Sequence, residues 1–97
     1  MQAFANRHPD AREPLEDWAR VTLAATWTNI AEVRATYPSA DGVPIRKGRR
    51  VVAVVTVFNV RGNKYRLLTL VNYGRQTVEV IDVLTHGEYD KEKWKRP

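Results

Sequence analysis

Two short stretches in the second half of the chain hold side chains that phosphodiester chemistry uses. The first is Asn59, Arg61, Lys64 and Arg66, arranged about Gly62-Asn63. If Gly62-Asn63 is a two-residue turn, Arg61 faces Lys64 and Asn59 faces Arg66. Alternation then puts Lys64 and Arg66 on one face of a sheet. Two cations with an amide opposite make a surface able to grip phosphate. The plainer alternative is a pair of solvated charges. Arg66 is followed by Leu67 and Leu68, so it is expected to be partly desolvated. A guanidinium in that setting wants phosphate or carboxylate.

The second stretch is Thr85-His86-Gly87-Glu88-Tyr89. Thr85 and Glu88 have the spacing of a capping box, which predicts a helix through about Trp94. His86 and Tyr89 then share a helix face, beside free N–H groups and a positive dipole end. In RNA cleavage the 2′-hydroxyl loses a proton, the phosphorane needs positive partners, and the leaving 5′-oxygen gains a proton. Imidazole, phenol and cations suit those three tasks, and Tyr89, His86 and Lys64 are all candidates for the base. A lone histidine is more often structural. Geometry adds a condition. A strict two-residue loop at Gly74-Arg75 puts His86 on the face opposite Arg66, whereas one bulge in the last strand would bring Lys64, Arg66 and His86 together.

The elements that must position these groups divide near residue 42. Asp10 with Glu13 reads as a helix start, with Pro14 in the first turn. Leu15, Trp18, Ala19, Thr22 and Ala25 recur at helical spacing. Thr28 or Asn29 opens a second helix with Ile30, Val33 and Tyr37 on its apolar face, stopped by Pro38. Ser39 to Gly48 reads as loop. Val51 to Val60 has nine of ten residues β-branched, aromatic or alanine, which predicts a central strand buried on both faces for much of its length. Lys64 to Tyr73 is the next strand. Gly74-Arg75 suits a type II′ turn, and Gln76 to Leu84 is the third strand. The expectation is an α+β domain: two N-terminal helices packed on a small curved antiparallel sheet, then a short C-terminal helix. The whole chain, 1–97, reads as one domain.

Composition narrows the classes. The chain carries 16 Lys and Arg against 11 Asp and Glu, a formal +5. The excess is clustered at Arg46-Lys47-Gly48-Arg49-Arg50, at Arg61, Lys64, Arg66 and Arg75, and at Lys91, Lys93, Lys95 and Arg96. Such clusters favour a polyanion through salt-dependent attraction. No apolar run approaches a membrane span, no secretory pattern opens the chain, and there is no cysteine. Cytoplasm is the expected compartment. His8 and His86 are far apart with no clustered carboxylates, which speaks against a metal site. His8 reads as a surface residue. Trp18 and Trp27 read as core anchors, and Trp94 as cover for a sheet edge.

Val57-Phe58-Asn59-Val60-Arg61-Gly62-Asn63-Lys64-Tyr65-Arg66-Leu67, with Asn72-Tyr73 and Arg75-Gln76, resembles the central motif of HigB-type toxins. Thr85-His86-Gly87-Glu88-Tyr89-Asp90-Lys91 resembles the family's C-terminal motif. His8-Pro9-Asp10-Ala11, Trp18 and Tyr37-Pro38-Ser39-Ala40-Asp41 match upstream, in the family's order. The resemblance implies a RelE-like fold and a ribosome-dependent mRNA interferase. Cleavage would be metal-independent, through the 2′-hydroxyl, leaving a cyclic phosphate, with no cofactor. The implied partners are mRNA on the ribosome and a helix-turn-helix antitoxin of the HigA type, with operator DNA reached only through the antitoxin complex. By position, Arg66 matches the family's sheet arginine. His86, Tyr89 and Lys91 match its C-terminal polar set, and Lys64 matches less firmly.

Two departures stand out. The family usually begins with a β-strand, whereas Met1 to Arg7 looks like the middle of the first helix. Either the start is truncated or the sheet has one strand fewer; the latter would leave an edge exposed, and a decayed toxin that binds RNA without cutting it is the alternative this raises. Residues Val43 to Val54 also lengthen the approach to the central strand, with the basic run inside it. Arg46, Lys47, Arg49, Arg50, Arg61 and Arg75 are the expected RNA contacts. Charge reversal at Arg46, Lys47, Arg49 and Arg50 should weaken ribosome binding in sedimentation assays, and unchanged binding at physiological salt would refute that role.

Overall fold

A computed structural model of the chain describes residues 2–95. Arg96 of the basic C-terminus lies outside the described residues. A short helix, α1 (Gln2–Arg7), precedes the two expected ones. It runs into a 3₁₀ turn at Pro9–Ala11 and then α2 (Arg12–Ala24). Pro14 falls in the first turn of α2, where a missing N–H is harmless. Asp10 does not cap the helix as its spacing suggests. Ala11 stands at the N-cap with no side-chain bond, because the Asp10 carboxylate is engaged by the sheet. The third helix, α3 (Ile30–Thr36), starts as expected: Asn29 accepts from the Glu32 N–H at 3.0 Å.

Four antiparallel strands follow in the order β1-β2-β3-β4: β1 (Asp41–Lys47), β2 (Arg50–Val60), β3 (Tyr65–Asn72) and β4 (Thr77–Thr85). The expected loop over Ser39 to Gly48 is corrected here. Val43 and Ile45 pair with Val55 and Ala53, so the apolar face of β2 recruits this segment as an edge strand. The sheet therefore has four strands rather than three. The basic run becomes a hairpin tip, with Gly48 at φ +62° in its turn. Both other turns differ in detail from expectation. Arg61 and Gly62, not Gly62 and Asn63, carry the positive φ values of 53° and 62°. At the next turn Gln76, not Gly74, is left-handed, at φ 56°. Its amide donates to the Tyr73 and Trp27 carbonyls at 2.8 and 2.6 Å, which holds that conformation.

Alternation sorts the sheet into two faces. Phe58, Val60, Tyr65, Leu67 and Val83 point to α1–α3 and pack with Phe4, Leu15, Trp18, Trp27 and Val33. Phe58 is wholly buried, its ring 5.4 Å from Trp18, 6.2 Å from Trp27 and 5.3 Å from Tyr37. Trp18 and Trp27 are thus core anchors, as their spacing suggests. Val43, Val55, Val57 and Leu68 point the other way. There they meet Leu84, Tyr89 and Trp94 from the chain's end. That end is α4 (His86–Asp90), capped by the expected Thr85/Glu88 box. The helix stops short of Trp94, because Glu92 adopts φ 57° before a 3₁₀ turn at Lys93–Lys95.

The sheet has two irregularities: Val52 is unpaired in the β1–β2 ladder, and a second bulge sets the register of the chain's end. Leu68 pairs with Asp82 but Thr69 pairs with Val80, so Ile81 is an extra residue in β4. The bulge shifts the rest of β4 by one, which places His86 rather than Thr85 beyond Lys64, with the His86 N–H donating to the Lys64 carbonyl at 3.0 Å. Phe58→Ala should cost about 3–5 kcal/mol of stability, the range for emptying a buried aromatic site. Urea unfolding measures it, and a loss under about 1 kcal/mol would mean this ring is not the centre of the core.

Candidate active site

Arg66 opens the construction. It lies in β3 opposite Asn59, as the alternation predicts, and is only 8% exposed. Burying a guanidinium demands acceptors. Nη1 donates to the Asn63 and Tyr65 carbonyls at 2.9 and 3.3 Å, and Nη2 to the Asn63 side chain at 2.7 Å. Its far side faces the Tyr89 ring, 5.5 Å from guanidinium carbon to centroid. Among the described residues no carboxylate pairs with it. The charge is therefore held in place and not neutralised, which is what an anion site requires. Tyr89 is half-buried and stacks on Trp94 at 5.1 Å. Burial, then the charge of Asp41, pushes its phenol pKa up.

Lys64 goes elsewhere. Alternation predicts it on the Arg66 face, but it sits in the turn, and its ammonium reaches Asp10 at 2.5 Å. Arg61 approaches the same carboxylate oxygen at 3.1 Å, and the Tyr65 hydroxyl donates to the other at 2.6 Å. The hydrogen bonds from Lys64 and then Tyr65 bring the Asp10 pKa down to about 2. The same bond with Asp10 raises Lys64 and Tyr65. His8 is half-buried here rather than on the surface, stacked on Phe4 at 4.5 Å and 5.5 Å from Tyr65.

His86 stands at the first position of α4 with a half-exposed ring. Its Nε2 lies 2.9 Å from Asp90 Oδ2, one helical turn on. An acceptor on one ring nitrogen leaves the other to exchange protons with a ligand. Glu88, in the capping box, is held low first by the Thr85 N–H, with smaller help from His8 and Arg7. Lys91 is exposed at the C-cap of α4. So the bulge does put Lys64 and His86 in register, yet their side chains part: one turns to Asp10, the other to Asp90. The groups in contact are Arg66 and Tyr89.

The remaining predicted cations are not brought here. Successive hairpins turn at opposite ends of a meander. Arg46, Lys47, Arg49 and Arg50 therefore sit with Arg75 at one end, and Arg61, Lys64 and His86 at the other. Arg50 and Val60 bound one strand, which spans about 33 Å at ~3.3 Å per residue. Sequence reasoning missed three residues. Asp10 reads as a cap, Asn63 as a turn residue, and Asp90 only as part of the C-terminal motif. The long-range pairing of Asp10 has no local signal, whereas Asp90 is four residues from His86 and was within reach.

A family model described as HigB_toxin, the RelE-like toxic component of a toxin–antitoxin system, matches residues 11–92. The chain belongs to the HigB toxin family. Every residue of the Arg66–Tyr89 and His86–Asp90 groupings falls inside that match, while Asp10 lies one residue before it. The four-stranded α+β architecture is consistent with a RelE-like fold, and a toxin of such a system implies an antitoxin partner. The comparison with curated proteins finds no match. Among the described residues no helix is long and apolar enough to cross a membrane.

The Asp10 cluster carries a pH signature. Its pKa falls from 3.8 to about 2 on folding, so its stabilisation is complete above pH 3.8 and vanishes as pH drops through about 2. Wild type should melt above Asp10→Asn at neutral pH, and the gap in Tm should close on acidification through that window. A gap independent of pH would assign the effect to packing.

Proposed function

We propose that this toxin is a ribosome-dependent mRNA endoribonuclease that blocks translation and growth, and that a HigA-type antitoxin neutralises it. Arg66 carries the reading: a buried guanidinium with no carboxylate partner among the described residues, facing a phenol, beside the start of a helix. Phosphate is the natural occupant of such a site.

In this reading Arg66 binds the scissile phosphate and stabilises the charge that builds on the phosphorane. His86, oriented by Asp90, exchanges the protons. Its imidazole takes the 2′-hydroxyl proton, and the imidazolium so formed or the Tyr89 hydroxyl gives one to the leaving 5′-oxygen. The attacking 2′-oxygen forms a bond to phosphorus as the bond to the 5′-oxygen breaks, leaving a 2′,3′-cyclic phosphate. The residues supply acid, base and positive charge from the chain itself, so the step is written without a metal. Tyr89 fixes the Arg66 plane and offers its hydroxyl as a second donor. Lys64 and Arg61, paired with Asp10, add positive charge at the same end of the sheet, and Lys91 adds charge from the helix end. The hairpin tip at Arg46, Lys47, Arg49 and Arg50, with Arg75 at the same end, supplies ribosomal RNA contacts far from the chemistry.

Induced expression tests the site. Wild type should arrest growth, and Arg66→Ala should relieve the arrest, with cleavage down by about 100-fold or more, the scale for losing a main charge-stabilising donor. Arg66→Lys should recover little, since an ammonium lacks the planar fork. His86→Ala should also relieve arrest. Folded variants that stay fully toxic would refute the assignment. RNA binding by wild type without cyclic-phosphate products would favour the decayed-toxin alternative.

A further inference from the structure

The β1–β2 hairpin outruns the rest of the sheet. β2 pairs with β1 from Lys47–Arg50 to Asp41–Val57, with a bulge that leaves Val52 unpaired. Its ladder with β3 covers only Thr56–Thr69 to Val60–Tyr65. Past that point β3 continues to Asn72, but paired with β4 alone. The two hairpins therefore fork. The apex is closed by Thr69, wholly buried, whose hydroxyl donates to the Thr56 carbonyl at 2.8 Å. The Ile81 bulge lies at the same level of β4, where added twist turns β3 and β4 away from β2.

This leaves two edges on the projecting arm, and they are treated differently. A strand residue sends its N–H and C=O to the same side, and successive residues send theirs to opposite sides. The Thr56 carbonyl faces β3, so Val54, two residues back, faces the same way with no strand beside it. Its partner on β1 is Pro44, whose nitrogen therefore faces outward. Proline there protects the outer edge from strand addition. The inner edge has no such guard. It presents Val54, 52% exposed, next to the bulged Val52, 55% exposed, where bare valine is a liability unless something covers it. Beside it lies a groove of about 410 Å³ between the sheet and the start of α3, lined by Ile30, Gly42, Val54, Val71 and Tyr73 among others. The arm ends in four exposed cations with no ion-pair partner among the described residues, so an added strand suits the site best if it is acidic beside the tip.

We infer that the inner edge of the β1–β2 arm, centred on Val54, is a docking site for an extended segment of the antitoxin, which adds to β2 as a strand. One apolar side chain of that segment fills the groove, and acidic residues face Arg46, Arg49 and Arg50. This rests on the toxin–antitoxin reading and names where the partner binds; it leaves the Arg66 site free to be tested separately.

The test uses the full chain and the antitoxin encoded at the same locus. Val54→Pro deletes the free-edge donor and spares the β1 ladder, while Val54→Ala keeps the donor. Val54→Pro should weaken the complex at least ~10-fold and Val54→Ala under ~3-fold, because main-chain pairing supplies the affinity in strand addition. In wild type, complex formation should slow hydrogen exchange at the Val54 amide, which needs no variant. A thermal melt and retained Arg66-dependent cleavage establish that Val54→Pro is folded. Equal affinity of the two variants, or unchanged exchange at Val54 in the complex, overturns the inference. So does protection of Val54 by ribosomes but not by antitoxin. If wild type binds no antitoxin at all, the partner reading falls and this inference with it. If Arg66→Ala abolishes cleavage but binds antitoxin as wild type does, the catalytic reading stands whichever way the arm experiment goes.

Discussion

The extra residue in β4 is the constraint on which the rest of the structure depends. Ile81 shifts the pairing of Asp82 to Thr85 by one position, so that the chain leaves the sheet at His86 opposite Lys64. Without that shift the C-terminal helix would begin from the opposite parity, and Tyr89 would not reach Arg66. The same bulge lies level with Thr69, where the central ladder ends at Thr56–Thr69. One inserted residue therefore sets the register of the candidate site and marks the level at which the sheet forks.

Charge is divided by the sheet itself. On the helix-bearing face, Asp10 gathers Lys64, Arg61 and the Tyr65 hydroxyl, tying the turn before α2 to the β2–β3 hairpin. On the other face Arg66 has carbonyls and an aromatic ring but no counter-ion among the described residues. A buried cation satisfied by neutral dipoles keeps its field available to a ligand, whereas a surface cation paired with a carboxylate loses much of it. That difference separates Arg66 from its neighbours more sharply than sequence spacing does.

Much of this was legible in the chain. The pairing of Asn59 with Arg66 follows from turn position, and the Thr85/Glu88 box marks the start of α4. Both are local, and local rules suffice for them. The first strand was not legible, because Gly42, Pro44 and Gly48 punctuate it like a loop; pairing with the valines of β2 overrides that signal. The bulge was legible only as a condition, since register between strands depends on packing of the whole sheet. The fate of Lys64 was hidden for a related reason. Its partner lies 54 residues away, and no short-range pattern announces it.

These pieces support a toxin whose chemistry sits where β2, β3 and α4 meet, with a basic arm at the far end of the sheet. The central claim is cleavage by attack of the substrate's own 2′-oxygen on a phosphate held by Arg66. An mRNA programmed on ribosomes, with a single 2′-deoxynucleotide at the cleaved position, tests it most directly. The account predicts a 2′,3′-cyclic phosphate at the cut end of the all-ribose message and no cut at the deoxy position. Cleavage of the deoxy message at that position, or a 3′-hydroxyl product, would contradict it.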